Sequence, residues 1–349
     1  MPKNSGRVDY DDFDRKVKID IKDRRILTLL SEDSRVPLTR IAKSVGLSRD
    51  AVDYRIKRMM SVGLIQRFFC EVDVRKLGFY TFHIFISIDE NFPEKEKELH
   101  KYLAEHPNVF SVIEYSDRWD LEIGLLARNL LEFDEIIMDI SERFADLILE
   151  KDKLEIIKKY NENYVPILIK EKKQDLIPIK EHKIEEGEID AVDLHLLRAL
   201  AEDCRLSTYE IGSRLKINAD TVSYRIKRLV KQGIIRKFTL QVNYSLMKYH
   251  WYTFSIETKM FDKKSENAFL VFLEDNKSIM RSAKTLGGWD LLLYILVENP
   301  GEFHRMVKDI KTAFAPIIRN YQTWIAFKEY VFNPIPKVIE TAKKKLAAE

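Results

Sequence analysis

Apolar side chains at Ile26, Leu27, Leu29 and Leu30 recur with helical rather than alternating spacing, and Asp20 stands just ahead of them as a candidate N-cap. A second helix is predicted from near Pro37, whose fixed φ suits a first turn, burying Ile41, Ala42 and Val45 and stopping at Gly46. Ser48 then caps a third helix, RDAVDYRIKRMM, which hides Val52, Ile56 and Met59 at i, i+4 and i+7. Gly63-Leu64-Ile65 reads as a helix stop and a strand entry. From Phe79 the period changes: FYTFHIFISID alternates as a strand. The helical PEKEKELHKYLAEH, the strands VFSVIEY and WDLEIGLLA, the helix NLLEFDEIIMDISERFA and the strand LEIIKKY follow. Two short helices joined by a glycine turn describe a helix-turn-helix, and β-α-β-β-α-β is the split ferredoxin-like order. Helices cover one face of such a sheet, so its other face has to be buried elsewhere, most simply against a second domain of the same kind.

The chain supplies that second domain. Asp23 falls on Asp193, Trp119-Asp120 on Trp289-Asp290, Phe133 on Phe303, Tyr160 on Tyr330 and Pro166 on Pro336, all in one ungapped register. Between Asp23 and Phe68, 17 of 46 positions are identical to their partners, too many for chance. The second copy repeats the apolar stripe with Ile211, Leu215 and Ile217, the cap Asn218, and Val222, Ile226 and Leu229. It departs at the turn, where Lys216 replaces Gly46. The order of elements divides the chain into an N-terminal tail (1–17), a winged helix-turn-helix (18–68), a ferredoxin-like domain (69–166), a charged linker (167–187), a second winged helix-turn-helix (188–238), a second ferredoxin-like domain (239–336) and a C-terminal tail (337–349). The polar tail before Val17 is expected to be mobile.

Composition narrows the chemistry. The chain has 349 residues, more than one ordinary core accommodates, and no apolar run long enough to span a bilayer. A polar, acidic N-terminus without a signal-like stretch points to the cytoplasm. Two cysteines, Cys70 and Cys204, in unrelated sequence contexts make neither a disulfide framework nor a metal cluster, and the 7 histidines show no zinc-ligand spacing. With 59 basic and 56 acidic residues, a nucleic-acid surface has to be local.

The third helices are where such a surface is expected. With the apolar stripe buried, the outward positions are Arg49, Asp50, Asp53, Tyr54, Lys57 and Arg58 behind the cap Ser48, and Asp220, Ser223, Tyr224, Lys227 and Arg228 behind the cap Asn218. A helix fits the major groove, its first residues reaching base edges while Lys and Arg further along neutralise phosphates. Arg55 and Arg225 stand beside the stripe, where either a phosphate or a neighbouring carboxylate fits as partner. A charged outer face is what any solvated helix carries. Here, however, YRIKR is retained in both copies while its neighbours have drifted, which weighs toward a functional face.

The opening IDIKDRRILTLL, the segment LTRIAKSVGLSRDAVDYRIK, the exit GLIQRF and the turn-plus-strand LGGWDLLLYILV together resemble the Lrp/AsnC family of feast-famine regulators. The resemblance covers nearly all of both copies. It implies an α+β architecture, a winged helix-turn-helix plus a ferredoxin-like βαββαβ domain, here written twice as a covalent pseudo-dimer with two reading heads. It further implies a sequence-specific regulator with double-stranded DNA as partner, a small-molecule effector such as an amino acid, further homo-oligomerisation, and neither enzymatic activity, cofactor nor metal. The family's effector turn maps onto Gly287, Gly288 and Asp290, and onto Asp120 in copy one, where Ser116, Asp117 and Arg118 replace the glycines. On the residues alone this turn is a tight hairpin, and Trp119 and Trp289 are core or interface side chains. Two rivals come from other classes: a protein-interaction module, for instance toward basal transcription factors, and a fused sirohaem-decarboxylase-like enzyme. Against the latter, His83, His250 and His304 do not recur at matched positions.

Overall fold

The computed structural model describes residues 7–15, 17–166, 176–177 and 187–339. A two-residue strand β1 (Val8–Asp9) precedes helices α1 (Ile21–Glu32), α2 (Leu38–Val45) and α3 (Arg49–Ser61). Strand β2 (Ile65–Val72) follows, then the ferredoxin-like series β3 (Tyr80–Ile88), α4 (Pro93–Glu105), β4 (Val109–Ser116), β5 (Leu121–Ala127), α5 (Leu130–Arg143) and β6 (Ile148–Glu162). Copy two repeats it as α6 (Ala191–Glu202), α7 (Thr208–Leu215), α8 (Ala219–Lys231), β7 (Ile235–Val242), β8 (His250–Thr258), α9 (Lys263–Asp275), β9 (Ile279–Gly287), β10 (Leu291–Val297), α10 (Pro300–Phe314) and β11 (Ile318–Phe332).

The two ferredoxin-like sheets do not merely stack; they close on each other. Each copy ends in a 15-residue strand, twice the length its own sheet needs. The first part of β6 pairs with β3 and its remainder with β9 of the other copy; β11 does the same with β8 and β4. Eight antiparallel strands therefore form a closed ring, which leaves only short stretches of unpaired edge where the long strands overhang. Side chains alternate accordingly. Along β3, Phe82, Ile84 and Ile86 pack outward under α4 and α5, whereas Phe85 points inward to Trp119, Trp289 and Trp324. The expectation that each sheet buries its spare face against the other copy is met, and both predicted tryptophans lie buried in that seam.

The strand after each third helix crosses rather than turning back within its own copy. β2 and β7 form a two-stranded antiparallel ribbon that joins the copies and runs over the domain boundaries at 68 and 238. α1 packs on β7 and α6 on β2, so each helix-turn-helix sits on the other copy's strand. Arg35 donates to the carbonyls of Cys204 and Leu206, and its repeat partner Arg205 donates back to that of Ser34. The two cysteines, separate in sequence, both lie in this seam as buried free thiols.

The N-terminal tail departs from expectation. Val8 and Tyr10 are buried, β1 pairs with β11, the Tyr10 hydroxyl donates to Glu329 and its ring stacks on Tyr244. Strand length explains this: past Ile325 β11 no longer pairs with β8, so its side away from β4 can take a short extra strand. The linker 167–187 lies outside the described residues except 176–177 and 187. Of the C-terminal segment, 337–339 are described and dock through Val338 and Ile339. No helix among the described residues is long and apolar enough to cross a membrane.

Candidate nucleic-acid interface

Each third helix is set by local chemistry. Ser48 accepts from the Ala51 amide and Asn218 from the Thr221 amide, so both caps act as predicted. The preceding turn needs a left-handed residue: Gly46 has φ +64°, and Lys216 takes the same conformation at φ +57°. Val52, Ile56 and Met59 are buried, as are Val222, Ile226 and Leu229. From Asp50 and Asp220 onward the pattern of burial along the two helices is the same position by position.

On the opposite face, Tyr54 is 68% and Tyr224 65% exposed. Arg49, Asp50 and Asp220 stand in solvent at the N-terminal ends, with Arg49 and Asp50 3.2 Å apart. Lys57 is exposed and reaches back to Asp53 at 2.7 Å, an i,i+4 pair. In copy two Ser223 replaces Asp53, and Lys227 has no carboxylate partner among the described residues. The heads therefore share a shape but differ in charge.

The arginines follow another plan, and two expectations are corrected. Arg58 and Arg228, placed outward by helical periodicity, turn inward to Asp23 and Asp193. Arg55 and Arg225, for which two kinds of partner fit, take the carboxylates: Arg55 bonds Asp20 and Asp23, each at 2.8 Å, and Arg225 bonds Asp190 and Asp193 likewise. The cause is the buried acid at the third position of α1 and α6, which closes a capping box with Asp20 or Asp190. A carboxylate taken out of water needs cationic partners, and arginines one turn apart supply them from the third helix. The hydrogen bonds to Asp20 and Asp23 hold the Arg55 guanidinium above its ordinary pKa. The Asp23 amide and Arg55 hold Asp20 below the usual carboxylate range. Sequence reasoning noted Asp20 as a cap but missed Asp23 and Asp193 as clamps; the shared spacing of Asp23–Arg55–Arg58 and Asp193–Arg225–Arg228 was the available signal.

The turn expected near an effector has its polar groups engaged. The Asp120 carboxylate accepts from the Ile88 amide at 2.7 Å, and that of Asp290 from the amide and hydroxyl of Thr258 at 2.6 and 2.7 Å. A Cβ on Gly287, whose φ is +149°, would strike the Lys153 carbonyl, and one on Gly288 the Asp152 carboxylate. Gly287 is required by the close approach of β9 to the backbone of β6 of the other copy, a tertiary contact invisible in the sequence, whereas at Gly288 the Asp152 side chain can give way.

Comparison with known proteins gives the following. The AsnC-type helix-turn-helix domain matches residues 19–60 and again 189–230. An HTH-type transcriptional regulator of Pyrococcus horikoshii is 31% identical over 122 residues, which are 35% of this chain and 81% of that protein. The HTH-type transcriptional regulator FL11 of Pyrococcus furiosus is 29% identical over 119 residues, 34% of this chain and 78% of its own length. In overall fold the chain is similar to the siroheme decarboxylase NirDL, with a TM-score of 0.61 across 94% of this chain and 98% of that one, at 14% identity. That likeness shows a shared tandem architecture.

Proposed function

Since the chain belongs to the AsnC-type helix-turn-helix family of transcriptional regulators, with the domain present twice, we propose that it reads double-stranded DNA sequence-specifically in the cytoplasm through α3 and α8. One observation carries this reading: both third helices present an exposed face of Tyr, Lys and polar groups, held from behind by buried acids instead of being packed against protein. Clamping fixes the angle at which each helix meets a groove without covering it. In this reading the outward side chains at the N-terminal ends, with Tyr54 and Tyr224, are the groups for base edges, and the exposed Lys57 and Lys227 further along the helix are the groups for phosphates. Arg49 against Ala219 and Asp53 against Ser223 make the two heads prefer unequal half-sites. The test is selection of fragments from sheared genomic duplex by the full chain. Enrichment of a motif built from two related but unequal halves is expected; a bound pool with the composition of the input refutes the reading.

Tandem fold likeness favours a second reading, decarboxylation of an iron tetrapyrrole. The partly open cavity between the two copies is about 110 Å³. Benzene alone occupies a cavity of roughly 150 Å³, so a four-ring macrocycle does not fit without opening the ring of strands. A visible absorbance band acquired on incubation with an iron tetrapyrrole, and retained through gel filtration, would support that reading over the first.

A further inference from the structure

We propose that a partly open cavity between the ring of strands and β2 is an effector site, one per chain, built for a compact organic carboxylate and anchored by Arg281. As a ligand response this deepens the regulator reading and rests on it for its consequence, although binding itself does not. The cavity of about 110 Å³ lies between the copies, with Phe69, Phe110, Ile113, Leu126 and Phe332 among its walls. By comparison with the roughly 150 Å³ that holds benzene, it takes an acid of about two to five carbons.

Arg281 lines this cavity, half-buried against the rings of Tyr294, Trp251 and Tyr164 at 4.6, 4.8 and 5.8 Å. Its guanidinium makes no hydrogen bond or ion pair among the described residues. Aromatic faces hold such a group in place and stabilise its charge, but they accept none of its five N–H donors in the plane. Every other charged or histidine side chain on the wall is engaged. His83 and Tyr294 bond Glu122, Lys159 bonds Glu162, Arg236 lies 3.1 Å from Glu71, and Glu329 accepts from Tyr10 and Gln241. A half-buried fork of donors that lines the cavity without a protein acceptor is the complement of a planar carboxylate. The acids around it oppose a dianion, and the apolar walls match a short hydrocarbon body.

Comparison of the two copies explains why there is one such site. Thr81, Ser111 and Gly124 occupy the repeat positions of Trp251, Arg281 and Tyr294. Copy two fills its corner with large side chains that meet Tyr244 and Tyr10; in copy one Thr81 and Ser111 line the open space, while Phe110 lies over Gly124 as one of its walls. The anchor comes from one copy and the room from the other.

The full chain is titrated, without DNA, with two- to six-carbon monocarboxylic acids, their primary amides and inorganic phosphate, by calorimetry and thermal unfolding. At least one acid is expected to bind saturably at one site per chain, with its amide at least ten-fold weaker. Arg281→Gln should lose ten-fold or more. Thr81→Trp, which writes copy two's residue into the cavity, should fold by circular dichroism and lose binding; Arg281→Lys, which keeps the charge but not the fork, should bind with intermediate affinity. Binding by none of the acids, equal binding of the amide, binding of phosphate alone, two sites per chain, or full affinity in Arg281→Gln each overturns the proposal. Acid binding by a chain that binds no duplex would sink the regulator reading and leave this site standing.

Discussion

Lys57 and Arg58 are sequence neighbours on one helix, yet the structure gives them opposite tasks, and this makes them a sharp test. The Lys57 side chain is 72% exposed; its only carboxylate partner among the described residues is Asp53 on the same surface. Releasing that pair costs about 0.3–0.5 kcal/mol, roughly a factor of two in affinity, so it does not keep Lys57 from a phosphate. Each phosphate contact contributes about 0.9 to the slope of log affinity against log salt, which amounts to about 3.5-fold between 50 and 200 mM. Lys57→Ala is therefore expected to lower the slope by about 0.9 and to leave the unfolding midpoint nearly unchanged. Arg58 instead donates to Asp23 at 2.7 Å, and that carboxyl is 2% exposed. Asp23 keeps Arg55 when Arg58 is removed, and Arg58 is itself partly solvated, so Arg58→Ala should cost about 1–2 kcal/mol of stability. It should leave the salt slope within error of wild type. Fluorescence anisotropy on a bound duplex across four salt concentrations, with urea unfolding of the same samples, reads both quantities. If Arg58→Ala lowers the slope while Lys57→Ala does not, the division of labour argued from the clamp is wrong.

Other expectations follow from the same structure. Lys216→Gly relieves a left-handed lysine at the α7–α8 turn and should stabilise the chain by about 1 kcal/mol in urea unfolding, whereas the equivalent Gly46→Ala should destabilise it by a similar amount. Tyr10→Ala removes a ring buried between Tyr244 and Trp251 and should cost roughly 3 kcal/mol, an effect a mobile tail would not show. Burial raises the Glu329 carboxyl to about 7. The folded chain then holds a proton that the unfolded chain releases near pH 4.5, so this group's contribution is full below that pH and is lost as pH climbs toward 7. Glu329→Gln should flatten the fall in stability across this window, as read from unfolding midpoints at pH 4.5 to 8.

The legible parts of the fold were those written locally. Asp20, Ser48 and Asn218 cap helices because a short side-chain acceptor ahead of an apolar stripe has few other uses, and the repeat of Trp119-Asp120 at Trp289-Asp290 declared two like sheets in need of mutual burial. What escaped depends on partners far away in sequence. Arg58 faces outward by periodicity alone; a buried Asp23, 35 positions earlier, turns it in. Val8 lies in a two-residue strand and Tyr10 just after it, too short a stretch to show a period, and both are recruited by the side of β11 away from β4. Gly287 and Gly288 read as an effector turn, but a strand of the other copy presses on them. The cavity at Arg281 emerges only when Thr81, Ser111 and Gly124 are set against their repeat partners in three dimensions.

The central claim is that one polypeptide brings two exposed third helices to the same face of a duplex. Hydroxyl-radical footprinting of the full chain on one selected site, at one chain per duplex, tests it most directly. The expected result is two protected patches of unequal strength, with centres one helical turn (about 34–36 Å) or a whole multiple of it apart. A single patch, or protection that first appears at two chains per duplex, would contradict it.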